Sequence, residues 1–174
     1  MKSEIISVGT ELLLGNIVNT NAQFLSDKLA ELGIDVYYHT VVGDNPSRLR
    51  STIELALSRS DILVFTGGLG PTEDDLTKEI VCETLGIKQV LDNKSLNMIK
   101  DFFKKVNVEM TENNIKQAFV PEDSTILTNE IGTAPGVFLK QHNKIIILLP
   151  GPPKEMKLMF EKYTYPLLKQ NDII

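Results

Sequence analysis

Glycines and acids lie close together in the stretch Ile62–Thr77, which reads ILVFTGGLGPTEDDLT. A strand-like apolar run ends there, and the backbone N–H groups of Gly67–Gly70 are suited to bind phosphate oxygens. The acids Glu73–Asp75 follow at once, although carboxylates repel phosphate. Both features are compatible if a divalent cation lies between carboxylate and phosphate. We therefore predict a phosphate-binding loop in which Asp75 is a metal ligand and a catalytic residue. The substrate-binding residues predicted here are Thr66, Gly67, Gly68, Gly70, Pro71 and Thr72.

Two familiar phosphate motifs do not match this stretch. A P-loop requires Gly-Lys followed by Ser or Thr, and the chain has no Gly-Lys pair. A dinucleotide fingerprint beginning at Gly68 requires glycine where Glu73 stands. The alternative is an ordinary helix start, with Thr72 as the cap and Asp75 completing a capping box. That alternative explains the acids but not the paired glycines, which cost chain entropy directly after a strand.

Two further acids follow predicted strands. Glu11 follows Gly9 and Thr10 at the end of the first strand, from which it could reach a ligand at the edge of a sheet. Asp44 follows the second strand and has two possible roles, as a helix cap before Pro46 or as a metal ligand or base. We predict Glu11 and Asp44 as catalytic residues, Asp44 as a second metal ligand, and Gly9 and Thr10 as substrate contacts, with plain surface or capping roles as the alternatives.

Two small-residue loops are candidates for the walls of the site. The loop NEIGTAPG precedes a predicted hairpin, and its small side chains permit close approach by a flat ligand. Two prolines of the loop LPGPPKE remove N–H donors at the predicted helix start, so a rigid pocket wall is favoured over a phosphate cradle. No cluster with zinc spacing and no Gly-x-Ser-x-Gly elbow is present. The residues predicted from these loops are Gly132, Thr133, Pro135, Gly136, Pro150, Gly151 and Pro152.

Strands and helices alternate along the chain, which predicts a three-layer α/β/α fold with a mostly parallel central sheet and a β-hairpin. Such sheets bind ligands beyond the carboxyl ends of their strands, where the loops above would meet. The predicted strands are Glu4–Val8, Asp35–Val42, Asp61–Thr66, Gly136–Lys140 and Lys144–Leu149. The predicted helices run from Thr20 to Gly33, from Pro46, over Glu73–Leu85 and Asn93–Val106, as a short helix or loop at Thr111–Phe119, and from Pro153 to a bend or end at Pro166.

Composition narrows the classes of protein that fit. The 174 residues suit a single domain over residues 1–170, and a net charge of −5 argues against a nucleic-acid-binding surface. A single cysteine, Cys82, excludes an internal disulfide and suggests a reducing compartment. No apolar run approaches the length of a membrane span or a signal peptide. We therefore expect a cytoplasmic protein with no membrane or nucleic-acid partner.

Four motifs occur in the order found in the CinA family of competence/damage-inducible proteins: GTELLLG, TGGLGPTEDDLT, NEIGTAPG and LPGPPKE. The chain resembles the N-terminal domain of that family, which is similar to the molybdopterin-binding domain of MogA, MoaB and MoeA. The resemblance implies a homo-oligomer that hydrolyses ADP-ribose to AMP and ribose 5-phosphate with Mg²⁺, Mn²⁺ or Co²⁺. Carried over by motif, Asp75 matches the acid of the family's TGG-x-G-x-x-x-x-D-x-T signature, and Asp44 matches less firmly the acid after the second strand. Glu11 falls where MoeA-like sequences also place an acid.

The resemblance also leaves alternatives open. A binding module for molybdopterin or a nucleotide without hydrolase activity is one, and molybdopterin adenylyl transfer is another. Leu69 and Asp74 stand where the molybdopterin relatives tend to have Thr and Arg, which weakens the adenylyl-transfer alternative because a positive contact is lost. Nothing in the chain matches the C-terminal amidase domain of longer CinA proteins, so we expect no nicotinamide-nucleotide amidase activity from it.

Overall fold

Four parallel strands form the centre of the protein. In a computed structural model that describes residues 1–170, a six-stranded sheet has the order β2-β1-β3-β8-β7-β6. Strands β1, β2, β3 and β8 are parallel, and β7 runs antiparallel to both β8 and β6. The predicted parallel sheet with a hairpin is therefore confirmed. The strands of this sheet are β1 Lys2–Val8, β2 Asp35–Val42, β3 Ile62–Thr66, β6 Thr125–Leu127, β7 Gly136–Gln141 and β8 Lys144–Leu149.

Helices cover both faces of the sheet, which explains why the central strands are apolar throughout. All five residues of β3 are buried. Ile62 and Val64 pack with Leu25 and Leu29 on one face, and Leu63 and Phe65 pack with helices of the other face. Successive strand residues point to opposite faces, so a strand buried on both sides has no polar alternation. The helices are α1 Thr10–Leu13, α2 Thr20–Glu31, α3 Pro46–Arg59, α4 Thr77–Leu85, α5 Asn93–Lys105, α6 Pro153–Met159 and α7 Tyr165–Gln170.

One helix start differs from its prediction. Helix α4 begins at Thr77, not at Glu73, so the three acids belong to a loop rather than to a helix. The reason lies in the turn before it: Gly67 and Gly68 have φ angles of 104° and 71°, and Thr77 Oγ1 donates to the Gly67 carbonyl at 2.8 Å. The chain thus needs ten residues to turn from β3 into α4.

The segment between α4 and β7 contains elements that the sequence pattern did not reveal. Strands β4 Gln89–Leu91 and β5 Phe119–Pro121 form a separate antiparallel pair. A 3₁₀ helix over Glu112–Ala118 lies just before β5, within the stretch for which a short helix or a loop was expected. At the other end of the chain, α6 continues through a π-helical segment, Phe160–Thr164, into α7. The helix therefore does not end at Pro166, because the wider turn accommodates the missing N–H.

Candidate functional site

A cavity of about 660 Å³ lies beyond the carboxyl ends of the parallel strands. The loops after β1, β2, β3 and β8 all contribute to it, as expected for a sheet of this type. Its volume is in the range of small-molecule sites. The predicted residues that line it are Gly9, Glu11, Asp44, Gly67, Gly68, Gly70, Pro71, Thr72, Asp75, Thr133, Pro150, Gly151 and Pro152.

The loop after β3 presents backbone donors to this cavity. The Gly67 N–H donates to the Leu149 carbonyl at 3.0 Å. Within residues 1–170, the N–H groups of Gly68, Leu69 and Gly70 donate to no other group, although all three residues line the cavity. Unpaired backbone donors are costly when buried, so a hydrogen-bond acceptor in the cavity would be favourable.

Sterics also explain why the first two residues of this loop are glycines. A Cβ atom on Gly67 would lie 2.2 Å from the Val8 carbonyl oxygen, and one on Gly68 would lie 2.0 Å from Thr77 Oγ1. Both residues have positive φ as well. The backbone of this loop is therefore packed against β1 and α4 more closely than any side chain allows.

Asp75 is held by its own loop. Its Oδ2 accepts hydrogen bonds from Thr72 N at 3.0 Å and from Thr72 Oγ1 at 2.6 Å. This is the interaction expected of a capping box, but it closes a turn five residues before the start of α4 rather than capping that helix. Among the described residues nothing donates to Oδ1, which leaves one carboxylate oxygen for a ligand.

Asp44 is not the cap of the following helix. The side chain of Asn45 caps α3 by accepting from Arg48 N at 3.0 Å. Asp44 Oδ2 instead accepts from the N–H and the hydroxyl of Thr10, each at 3.2 Å. The loops after β1 and β2 are thereby joined at the cavity, and Thr10 contributes through Asp44 rather than by lining the cavity.

Glu11 lies in the first turn of α1. A Cβ atom at Gly9 would meet its carboxylate at 2.6 Å, so Gly9 leaves room for this side chain at the cavity wall. In the part of the chain that the structure describes, the Glu11 carboxylate accepts no hydrogen bond. It is therefore available to a ligand.

All charged side chains that line the cavity are acidic. Its acidic lining residues are Glu11, Asp44, Asp74, Asp75 and Glu155, and no lysine or arginine of residues 1–170 lines it. The same residues contain no group of three acidic, histidine or cysteine side chains close enough to hold a metal ion by themselves. The cavity therefore presents carboxylates and backbone N–H donors to a ligand, with no basic side chain among these residues.

Lysines are present nearby, but they face the loop backbone. Lys116, on the 3₁₀ helix, donates to the carbonyl of Thr72 at 2.6 Å and to that of Asp75. Lys78 of α4 is buried and donates to the carbonyl of Lys116 at 3.1 Å. Burial lowers the pKa of Lys78 to about 8. The 3₁₀ helix therefore braces the loop that carries Asp75.

A second brace connects the same helix to the NEIGTAPG loop. Gln117 Nε2 donates to Thr133 Oγ1 at 3.0 Å, and both residues line the cavity. The Asp75 loop and the NEIGTAPG loop, which both line the cavity, are thus fixed to one short helix.

Four predicted contacts besides Thr10 lie outside the cavity lining. Thr66 is buried behind it, where its hydroxyl donates to the Pro150 carbonyl at 3.0 Å. Gly132 and Pro135 line a small neighbouring cleft of about 50 Å³. Gly136 begins β7, and a Cβ there would lie 2.3 Å from Met159 Sδ, so it is a packing residue.

Several residues of the site were missed by sequence reasoning. Glu155 and Gln117 line the cavity, and Lys116 and Asn129 hold its loops. Asn129 and Glu155 stand inside the quoted motifs, so motif membership was the signal for these two. Lys116 and Gln117 lie in a segment without periodicity, and no sequence signal identifies them.

The comparisons with known proteins agree on the family. A model described as "Probable molybdopterin binding domain" matches residues 4–170. A CinA-like protein of Dictyoglomus thermophilum is 60% identical over 168 residues, which is 97% of this chain and 41% of that protein. The chain therefore spans about two fifths of the length of such curated relatives.

Solved structures show the same fold. The protein CinA from Thermoplasma acidophilum has a TM-score of 0.85 at 36% identity, with 99% of this chain and 98% of that one covered. MoaB from Thermus thermophilus, a molybdopterin biosynthesis enzyme, has a TM-score of 0.64 at 20% identity, with 96% and 91% covered. The latter likeness concerns the fold alone. The chain belongs to the CinA family, and its residues 4–170 match a molybdopterin-binding-type domain.

Proposed function

We propose that this chain hydrolyses a nucleoside diphosphate derivative with the help of a divalent cation. The expected substrate is ADP-ribose, which would yield AMP and ribose 5-phosphate. The substrate identity comes from the resemblance to CinA proteins, and the need for a cation comes from the chemistry of the cavity.

One observation carries the proposal: free backbone donors and five carboxylates share a cavity without a basic side chain. The N–H groups of Gly68–Gly70 favour phosphate oxygens, which the carboxylates repel. A dication between them offsets both sets of charges, so that a diphosphate could accept from the amides beside the carboxylates.

The residues present fit such an ion. Asp75 and Asp44 each use Oδ2 for a loop hydrogen bond and keep Oδ1 available. Mg²⁺ commonly takes one or two carboxylates, several waters and the phosphates of the substrate, so a group of three protein ligands is not required. When bound, the ion would supply positive charge against the diphosphate and the leaving oxygen.

The protein's own groups would position the substrate. The amides of Gly68–Gly70 would bind phosphate oxygens, and Thr72 and Lys116 would keep Asp75 in place from either side of its loop. Pro150–Pro152 and Thr133 would form the opposite wall. Because each of these groups is already fixed, little would have to rearrange when the substrate binds.

A second candidate function is binding without hydrolysis. The observation in its favour is that Asp75 and Asp44 already hold their loops through Thr72 and Thr10. Carboxylates with that structural role would shape a pocket for a phosphate-bearing pterin or nucleotide, in keeping with the family description.

An incubation with ADP-ribose separates the two candidates. We expect AMP and ribose 5-phosphate, detected by mass spectrometry, only when Mg²⁺, Mn²⁺ or Co²⁺ is present. Asp75→Asn should reduce turnover at least about a hundredfold, a typical loss for a charge that acts on the reacting groups. Glu73→Gln is the matched control, since Glu73 is an exposed acid of the same loop outside the cavity lining. Equal turnover by wild type and Asp75→Asn would contradict a catalytic role for Asp75.

A further inference from the structure

Glu155 is an acidic side chain of the cavity with no role in the scheme above. It lies in the first turn of α6, three residues after the N-cap Pro152. A glutamate at this position usually reaches back to the N–H of the N-cap residue. Pro152 has no N–H, and neither does Pro153. The ordinary capping role is therefore closed to Glu155, and its carboxylate lines the cavity instead.

Asn129 fixes the direction of this carboxylate. Its Nδ2 donates to Glu155 Oε2 at 2.7 Å and to the Ala134 carbonyl at 2.9 Å. Its Oδ1 accepts from the N–H groups of Gly132 and Ile131 at 2.8 and 3.3 Å. Both donors and both acceptor positions of the amide are thus used, so Asn129 has no freedom to turn away.

The backbone beside Glu155 is shaped around it. A Cβ atom on Gly132 would lie 2.5 Å from both Cδ and Oε2 of Glu155. A side chain at this position would have to displace the carboxylate that Asn129 holds. Within residues 1–170 no group donates to Oε1, so one oxygen of a rigidly held carboxylate remains for a ligand.

The surroundings favour hydroxyl donors over a metal ion at this place. The cavity residues next to it in the sequence are the neutral Pro152 and Pro153, and the other wall includes Thr133 and Ala134. A carboxylate in such a setting binds O–H donors through charge-assisted hydrogen bonds, and the two hydroxyls of a ribose are its common partner in nucleotide sites.

We propose that Glu155, oriented by Asn129, is the specificity residue that binds the ribose hydroxyls of a nucleotide whose phosphates lie at Gly68–Gly70. This inference rests on the proposed function for the nature of the ligand. The cavity of about 660 Å³ has room for a sugar and a diphosphate together.

The inference can be tested on the wild-type protein by comparing the affinities of two nucleotides that differ only in their ribose hydroxyls. With Mg²⁺ present, calorimetry should show ADP binding about tenfold or more tightly than 2′,3′-dideoxy-ADP, because a hydrogen bond to a charged group is lost. Equal affinity of wild type for the two nucleotides would overturn the inference, and so would a failure of ADP to bind.

Variants then assign the preference to Glu155. Glu155→Ala should bind both nucleotides equally, at the weaker affinity. Glu161→Gln, which removes an exposed acid six residues further along, should keep the full preference. A preference that survives in Glu155→Ala would also overturn the inference. Loss of ADP-ribose hydrolysis with an intact ribose preference would contradict the proposed function alone, so the two failures are distinguishable.

Discussion

At the scale of single residues, two acids of the site do not have the capping role that their positions suggest. Asn45 caps α3, so Asp44 is free to join the loops after β1 and β2. Pro152 removes the donor that Glu155 would cap, so that carboxylate turns to the cavity. In both cases the acid lines the cavity because a neighbouring residue takes over or prevents the capping interaction.

A side chain at Gly68 should clash with Thr77, in addition to the strain of its left-handed backbone. Gly86 has nearly the same φ, 68° against 71°, but a Cβ there would meet nothing within 4 Å. We expect Gly86→Ala to lower the free energy of unfolding by about 1–2 kcal/mol, from the left-handed backbone alone. Gly68→Ala should lower it by about 2 kcal/mol more, because of the contact with Thr77. Urea unfolding of both variants measures the difference, and equal losses would contradict the steric account.

Lys78 should give the protein a stability that rises with pH. Burial lowers its pKa in the folded state from 10.5 to about 8, so above pH 8 the unfolded chain binds more protons at this residue. Stability therefore increases through the window from about 8 to 10.5, and below it the cost of the buried charge is fully present. Between pH 7 and pH 9 the expected gain is about 1 kcal/mol.

The control for this measurement is Lys78→Met, compared at each pH with a protein that keeps Lys78. Burial raises the pKa of the Cys82 thiol to about 11, which would lower stability above pH 9. The proteins with and without Lys78 should therefore both carry Cys82→Ala. The same pH dependence with and without Lys78 would show that this lysine is not the source.

At the scale of elements, the 3₁₀ helix Glu112–Ala118 holds the loops of the site in place and adds Gln117 to the cavity lining. Lys116 holds the carbonyls of the Asp75 loop, and Gln117 holds Thr133 across the cavity. A short helix with few internal hydrogen bonds is a weak element by itself. Buried Lys78 compensates by donating to the carbonyls of Lys116 and Gln117.

Lys116→Met should loosen the loop without unfolding the domain. We expect amide exchange in residues 70–76 to become about tenfold faster, since a loss of one or two hydrogen bonds to a charged group changes a local opening equilibrium by roughly that factor. Lys100→Met, an exposed lysine on α5, is the control and should leave these amides unchanged. Unchanged exchange in the Lys116 variant would mean that the loop is rigid without its brace.

At the scale of the whole molecule, the sequence predicts the parallel sheet well, but it predicts only part of the set of residues that line the cavity. Alternating apolar strands and helices dictate a parallel sheet, and a parallel sheet brings the loops after β1, β2, β3 and β8 to one edge. The start of α4 was misplaced because Glu73–Asp75 look like a first helical turn, whereas the packing of Gly68 on Thr77 postpones the helix.

Other features of the molecule have no local signature. Lys116 and Gln117 act through contacts with residues more than 15 positions away, and spacing along a chain does not reveal such pairs. None of the helices within residues 1–170 has the length and apolar character of a membrane span. The homo-oligomer and the cytoplasmic location expected from the sequence stay predictions.

The central claim is that a cation mediates between the amides of Gly68–Gly70 and the carboxylates around them. Calorimetry with a methylene-bridged analogue of ADP-ribose, which resists hydrolysis, tests it directly. We predict binding at least about tenfold tighter with Mg²⁺ than in EDTA, with the analogue tightening Mg²⁺ binding by the same factor, and a loss of this coupling in Asp75→Asn. The same affinity with and without Mg²⁺ would contradict the claim, because the cavity would then hold a diphosphate against five carboxylates unaided.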